Sequence, residues 1–490
     1  MPVLVTVMYL VAAVIGASFA VAEVRMLLRF LMNRAAIRAG MRPHRGTAAA
    51  TTVSRLPKVT IQIPLYNERL SARQAILASA GQDYDKDRFD VQVLDDSTDE
   101  TREVVAATIA EVKAKGVRIE QLQRDNRAGY KAGALAAGLK RSTAEFVAVF
   151  DADFDPRPDF LRRVMVEEDA FHDPKVAFLQ TRWAFEHAAG SLFQSAMALL
   201  LDRHFYIQKP SRAFAGQVMT FNGSAGVWRR AAIDAAGGWT SDTLTEDLDL
   251  SYRCALAGWH GRYVHDIAVP NELPEEMRAF KLQQRRWARG NAQCFRKLMG
   301  RVLDTKNRLR DRWEEAFLLA GYGIHPVLLL NLVLWPWAVL YVDRALFWGM
   351  QALMSLATLV APFSFLMTLR ERGDEWRLRT VGHVLAGIGI GIGLMVNNTV
   401  AQVQGFLANE GEFARTPKGR STDSAGRGLA LKAYASPLHW TFWLELVVVG
   451  YCVWTGALLV QRGESLWALA LLFWGLCVGL VVLLQVRPRR

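Results

Sequence analysis

The sequence predicts an α/β domain inserted between transmembrane helices, on three observations. Apolar runs long enough to cross a bilayer lie at both ends of the 490-residue chain. Between them, short β-branched runs alternate with helical stretches. Polar motifs follow directly on those β-branched runs, where the strands of a parallel sheet open into loops. A hydrophobic content of 51% is too high and too unevenly spread for one soluble domain.

The elements follow in order. Val3 to Ala22 is an apolar run with no basic residue before it and Arg25, Arg29, Arg34, Arg38, Arg42 and Arg45 after it. The positive-inside rule puts the N-terminus outside and the arginines in the cytosol. Ala20-Val21-Ala22 resembles a signal-peptidase site, but the positive charges lie on the wrong side for a secretory signal. Residues 1–24 therefore read as an uncleaved anchor and 25–56 as a basic cytosolic linker. Over 57–300 the runs Val59 to Ile63, Asp90 to Leu94, Val117 to Leu122 and Phe146 to Phe150 predict strands of a mostly parallel sheet.

Residues 301–490 read as a membrane domain with four spans: Ala316 to Val342, Ala345 to Leu369, Leu438 to Val460 and Leu466 to Leu484. If Val381 to Leu407 also crossed, the segment with Arg415, Lys418 and Arg420 and the tail Arg487, Arg489 and Arg490 would face outside. Placing 381–408 along the cytosolic interface keeps every basic loop inside. The expected setting is a bacterial inner (plasma) membrane, with the α/β domain cytosolic.

The net charge of +12 does not form one basic stripe, because the arginines crowd the ends of apolar segments. Lipid headgroups of the bilayer and a phosphorylated substrate are the expected partners, and nucleic acid is not. Cys254, Cys294, Cys452 and Cys477 show neither metal-ligand spacing nor a disulfide framework.

Five motifs carry chemistry. Asp151-Ala152-Asp153 follows the apolar strand, where two carboxylates can hold Mg²⁺ or Mn²⁺ against a diphosphate; a solvated Asp-rich turn is the alternative. Asp95-Asp96-Ser97 suits hydrogen bonds to a nucleotide and also an Asx turn, and both are expected at once. Lys131, among small residues at a helix start, suits phosphates; an ordinary surface lysine is the alternative. Glu246-Asp247 can take a proton from an acceptor hydroxyl or simply cap a helix, with Phe221-Asn222-Gly223-Ser224 flooring an acceptor pocket. In Gln283-Gln284-Arg285-Arg286-Trp287, Trp287 suits a sugar ring and Arg286 a diphosphate; lipid-facing arginines on an amphipathic helix are the alternative. No serine, cysteine or histidine array suggests a covalent nucleophile, so single displacement with inversion is the simpler chemistry.

In this order, with Tyr66-Asn67-Glu68 at the front, the motifs resemble the membrane-bound processive glycosyltransferases of family 2. Val91 to Asp99, Arg124 to Leu135 and Asn271-Glu272-Leu273-Pro274 look most like plant cellulose-synthase-like A and C proteins. The resemblance implies a GT-A (nucleotide-diphospho-sugar transferase) domain, a nucleotide-sugar donor and a divalent metal. It assigns Tyr66, Glu68, Asp95, Asp96, Lys131 and Asp151 to the donor and Asp151 and Asp153 to the metal. Asp247, with Glu246 beside it, is the catalytic pair; Gln283, Arg286, Trp287, Asn222 and Ser224 serve acceptor and diphosphate. Phe413, Thr416 and Lys418, in 409–432, look like a gating loop, with Arg415 departing from the valine usual there. A chain ending at Arg490 leaves no room for an appended cyclic-dinucleotide-binding domain. The expected activity is inverting elongation of a β-linked hexose polymer from UDP-glucose or GDP-mannose, with translocation. The alternative is transfer of a single hexose to a lipid acceptor.

Overall fold

Strands β1 (Val59–Leu65), β2 (Phe89–Asp95), β3 (Ile119–Leu122), β4 (Phe146–Val149), β5 (Val176–Ala184), β6 (Gly226–Arg229) and β7 (His260–Pro270) form one sheet in the order β3-β2-β1-β4-β6-β5-β7. The computed structural model describes residues 2–41, 56–169, 171–185, 191–305, 308–375, 377–408 and 437–486. The gating-loop residues Phe413, Thr416 and Lys418 and the basic tail lie outside them. Strands β1 to β4 pair in parallel, and β6 runs antiparallel to both β4 and β5. Strand β4 is apolar throughout, and β1 and β2 are buried along nearly their whole length although polar residues alternate with apolar ones in them: Gln62 and Gln92 are covered and hydrogen-bonded to each other (3.0 Å), as a sheet covered on both faces requires.

The chain leaves β1 toward β2 and β3, then returns on the other side of β1 to make β4. That reversal opens a crevice at the strand ends, the topological switch point. The register sets Leu65 beside Asp95 and Gln62 beside Val149, so the loops carrying Tyr66, Asp96 and Asp151 start at one edge of the sheet.

Helices α1 (Pro2–Met32), α2 (Arg34–Met41), α3 (Ala72–Ala80), α4 (Thr101–Ala114), α5 (Tyr130–Arg141), α6 (Leu192–Arg203), α7 (Lys209–Phe214), α8 (Arg230–Ala235) and α9 (Glu246–Leu256) precede the long α10 (Met277–Leu303). There follow α11 (Leu309–Leu319), α12 (Ile324–Tyr341), α13 (Arg344–Arg372), α14 (Leu378–Gly393), α15 (Met395–Leu407), α16 (Thr441–Gln461) and α17 (Ser465–Val486). Among the described residues α1, α12, α13, α16 and α17 are long and apolar enough to cross a membrane.

Two features differ from the sequence reading. Helix α1 does not stop with its apolar run but continues to Met32, and α2 follows at once. Of the arginines placed in a linker, Arg25, Arg29, Arg34 and Arg38 are therefore helical and have protein partners, while Arg42 and Arg45 lie outside the described residues: Arg25 and Arg29 each lie 2.7 Å from Glu314, and Arg34 and Arg38 lie 2.6 and 2.7 Å from Glu371. A carboxylate in the middle of α11 and one at the end of α13 meet them, so lipid headgroups are not their sole counter-charge. The segment 381–408 is a pair of helices bent by 41° between Gly393 and Met395. Its polar side chains are not turned to an interface. Asn397 donates to Lys281 O (3.2 Å) and Gln402 to Ala288 O (2.6 Å), so α15 is bonded to α10.

Helix α10 also enters the membrane helices. Lys281 Nζ lies 2.6 Å from Glu445 Oε1 and 2.8 Å from Gln485 Oε1, and Gln485 Nε2 donates to Glu445 Oε2 (2.8 Å). The side chains of Lys281 and Glu445 are 3% and 0% exposed, so each charge depends on the other. Lys281→Met leaves Glu445 buried without its counter-ion and is expected to cost ~3–5 kcal/mol. The double variant Lys281→Met/Glu445→Leu is expected to recover most of that, read as thermal unfolding in detergent.

Candidate active site

At the end of β1, Asn67 turns into the left-handed region (φ 55°) and locks two loops together. Its backbone N–H donates to Ser97 Oγ (2.9 Å), and its side-chain oxygen accepts from Thr98 N–H (2.8 Å). Tyr66 and Asp96 are thereby held side by side on the cavity wall. Arg124 grips the Asp96 carboxylate through Nε (2.9 Å) and its second amino nitrogen, and donates to Ala128 O (2.8 Å). Arg127 lies over the Tyr66 ring, 3.4 Å from its centroid, and 5.0 Å from that of Tyr130. The result is a flat aromatic and cationic wall suited to a planar base.

Opposite, Asp151 and Asp153 open from β4. Ser224 Oγ accepts from Asp151 N–H (2.9 Å), tying the Phe221-Asn222-Gly223-Ser224 loop to that strand end. The buried Gln180 of β5 holds the same loop, accepting from Asn222 N–H (2.7 Å) and donating to Ser224 O and Ala225 O (3.0 Å each). Gly223, with φ +81°, lets the loop pass between charged groups: a Cβ there would sit 3.3 Å from Asp247 Oδ2 and 3.5 Å from Lys131 Nζ. Lys131 Nζ reaches Gly223 O at 2.9 Å, Asp151 Oδ1 at 2.5 Å and Glu246 Oε1 at 3.8 Å.

Glu246 and Asp247 occupy the first turn of α9, so the capping reading holds as well, since free N–H groups there favour carboxylates. Burial and the neighbouring Glu246 push the Asp247 carboxyl up to about 7, against the pull of Lys131 and the helix N–H groups. A carboxylate poised there can accept a proton near neutral pH.

The third wall is α10. Gln283, Arg286 and Trp287, spaced i, i+3, i+4, all line the cavity, so this face of the helix is turned to the site rather than to lipid. One turn on, Gly290 permits contact with the loop that leads into α9: a Cβ there would lie 2.6 Å from Thr245 Cγ2 and 2.9 Å from Thr245 N. Gln293 Oε1 accepts from Leu244 N–H (2.9 Å). Thr245-Glu246-Asp247 is thus seated directly on the helix that bears Trp287.

The cavity brings together Tyr66, Glu68, Asp96, Lys131, Asp151, Asp153, Asn222, Glu246, Asp247, Gln283, Arg286 and Trp287. Two expected residues lie behind its wall. Asp95, 1% exposed, spends its carboxylate on Ser97 N–H (3.0 Å) and Gln121 Nε2 (2.8 Å), an Asx turn that shapes the loop. Ser224, fully buried, positions Asp151 as described. Lys131 stands among the carboxylates, bound to Asp151. Sequence reading included Arg124 and Arg127 in the run Arg124 to Leu135 but gave neither a role, and it missed Gln180 and Gly290, which carry no local signal.

Among the described residues no group of three or more His, Cys, Asp or Glu is arranged to hold a metal ion. The donor set still fits Mg²⁺ or Mn²⁺: two hard carboxylates, Asp151 and Asp153, share a cavity with cationic groups suited to a diphosphate, and such cations take one or two carboxylates and fill their sphere with phosphate oxygens.

The family described as Glycosyl transferase family group 2 matches residues 146–370. Glucomannan 4-beta-mannosyltransferase 2 of Arabidopsis thaliana is 41% identical over 273 residues, 55% of this chain and 50% of the plant protein. Glucomannan 4-beta-mannosyltransferase 1 of Oryza sativa subsp. japonica is 36% identical over 330 residues, 65% and 61% of the two chains. The chain spans between half and two thirds of the length of these relatives. In fold, it is similar to the mannosyltransferase PcManGT from Pyrobaculum calidifontis, solved with GDP-Man and Mn²⁺, at a TM-score of 0.51 and 18% identity over 79% of this chain and 99% of that one. The matched residues run from β4 through the Thr245-Glu246-Asp247 loop and α10 into the apolar helices, and over this stretch the chain is similar to family 2 glycosyltransferases, on a sheet of GT-A-like fold.

Proposed function

We propose that this protein is an inverting, metal-dependent hexosyltransferase that extends a β-linked polysaccharide from a nucleotide-diphosphate sugar. The observation that carries the reading is the position of Asp247, in one cavity with Asp151 and Asp153 on one side and Arg286 and Trp287 on the other. The acceptor's terminal sugar stacks on Trp287, and its hydroxyl meets Asp247. As the hydroxyl oxygen attacks the anomeric carbon, its proton passes to the Asp247 carboxylate. The bond from the anomeric carbon to the diphosphate oxygen breaks on the opposite face, and the electron pair leaves with the nucleoside diphosphate. Arg286 and Lys131 hold the charge that builds on the departing diphosphate. A divalent ion held by Asp151 and Asp153 supplies further neutralisation of that diphosphate when bound.

For the donor, the relatives' names favour mannose, and GDP-mannose is the first candidate, with UDP-glucose second. The flat wall of Tyr66 and Arg127 accepts either base. A polymer product, rather than a single sugar on lipid, is favoured by the same relatives. The five apolar helices support an integral membrane protein whose catalytic domain faces the cytosol, with α10 at the mouth of the spans.

A panel of radiolabelled donors with purified protein is expected to give chloroform-insoluble polymer with β-linked mannose from GDP-mannose. Single-sugar product confined to the organic phase would overturn the polymer reading. Asp247→Asn is expected to lower kcat by about 10²–10⁴-fold while leaving nucleotide affinity intact by calorimetry. Because the base acts deprotonated, kcat is expected to fall as pH drops through about 7 and to level off above it. Gly290→Val, which drives a side chain into Thr245, is expected to reduce kcat without changing donor affinity.

A further inference from the structure

We propose that Lys131 is a built-in counter-cation that keeps bare metal ions out of the site and yields its place on Asp151 only when a donor diphosphate arrives. The inference rests on the reading of this cavity as a nucleotide-sugar site and deepens it, since it sets the order in which metal and donor bind.

The geometry points to this through the company Lys131 keeps. Its ammonium, on a stem that is 12% exposed, sits 2.5 Å from Asp151 Oδ1 and 3.8 Å from Glu246 Oε1, with Gly223 O at 2.9 Å. The carboxylate it occupies is one of the pair that opens from β4 toward the donor. A divalent ion coordinated by Asp151 and an ammonium bonded to the same carboxylate repel each other at close range, so the two compete. Metal alone must displace Lys131 into a space hemmed by α9 and the Gly223 turn. A diphosphate changes the balance, because it offers the ammonium new anionic oxygens within the same cavity and frees Asp151. Metal and donor therefore enter together. Lys131 serves first as a substitute for the cation and then as a partner of the phosphates, and Glu246 and Asp247 keep a positive neighbour throughout.

The test is Mn²⁺ binding to the full chain in nanodiscs, followed by loss of the free-ion electron paramagnetic resonance signal, with and without GDP or UDP. Wild-type protein is expected to bind Mn²⁺ weakly alone and more tightly with nucleotide. Lys131→Met is expected to bind Mn²⁺ alone tighter by about tenfold, roughly 1.4 kcal/mol, and to lose the tightening by nucleotide. Lys131→Arg, which keeps the charge, is expected to retain weak binding. Should Lys131→Met melt early from crowding of bare carboxylates, Lys131→Gln retains a donor to Asp151 and Gly223 O and is expected to show the same gain. Unchanged or weaker binding of Mn²⁺ alone by the neutral variants overturns the proposal. Failure of the wild type to bind either nucleotide or to transfer sugar overturns the proposed function instead, and the comparison with Mn²⁺ alone is read without donor.

Discussion

One helix has to satisfy three neighbours at once, and the rest of the structure depends on that constraint. Helix α10 presents Gln283, Arg286 and Trp287 to the cavity, Gly290 and Gln293 to the Leu244-Thr245 loop, and Lys281 to Glu445 and Gln485 between the apolar helices. Its carbonyl groups accept further bonds from Asn397 and Gln402 of α15. A displacement of α10 along its axis would uncouple Trp287 from Asp247 and unpair a buried charge in the same movement. The cost of the second holds the geometry of the first.

The site is organised around charge. Carboxylates converge from β2, β4 and α9, and the chain places cations among them in a fixed pattern: Arg124 on Asp96, Arg127 on the face of Tyr66, Lys131 on Asp151. These three come from eight consecutive residues, Arg124 to Lys131, folded back on themselves as they enter the first turn of α5. The repulsion that would otherwise open the crevice is offset inside it, and the same cations are available to an incoming diphosphate. Asp247 is the exception. Burial beside Glu246 raises its proton affinity further than Lys131 lowers it, and it is the group left poised to take a proton.

The membrane part follows the same economy. Arginines that the charge rule assigns to the cytosolic side are bonded to Glu314 and Glu371, so the junction of α1 and α2 with α11 and α13 is an ionic collar. The amides of α15 turn inward because α10 supplies carbonyl oxygens there, whereas a lipid surface would leave them without partners.

The sequence by itself determined the strands β1 to β4, the spans, and the motifs at strand ends, because each rests on local signals: β-branched runs, apolar length, and polar residues directly after a strand. It also singled out most of the charged residues lining the cavity, Asp96, Lys131, Asp151, Asp247 and Arg286 among them, since the crossover at β1 must bring the strand ends together. Strands β5 to β7 were not legible, nor was the reversal of β6, because their pairing partners lie far away in sequence. Tertiary structure alone decided which carboxylates face the cavity and which, like Asp95, shape a loop. It alone showed that Gln180 and Ser224 position the motifs, that Gly290 is where loop and helix touch, and that Lys131 rests on Asp151. Those are distances between residues dozens of positions apart, set by close packing, and no spacing along one chain encodes them.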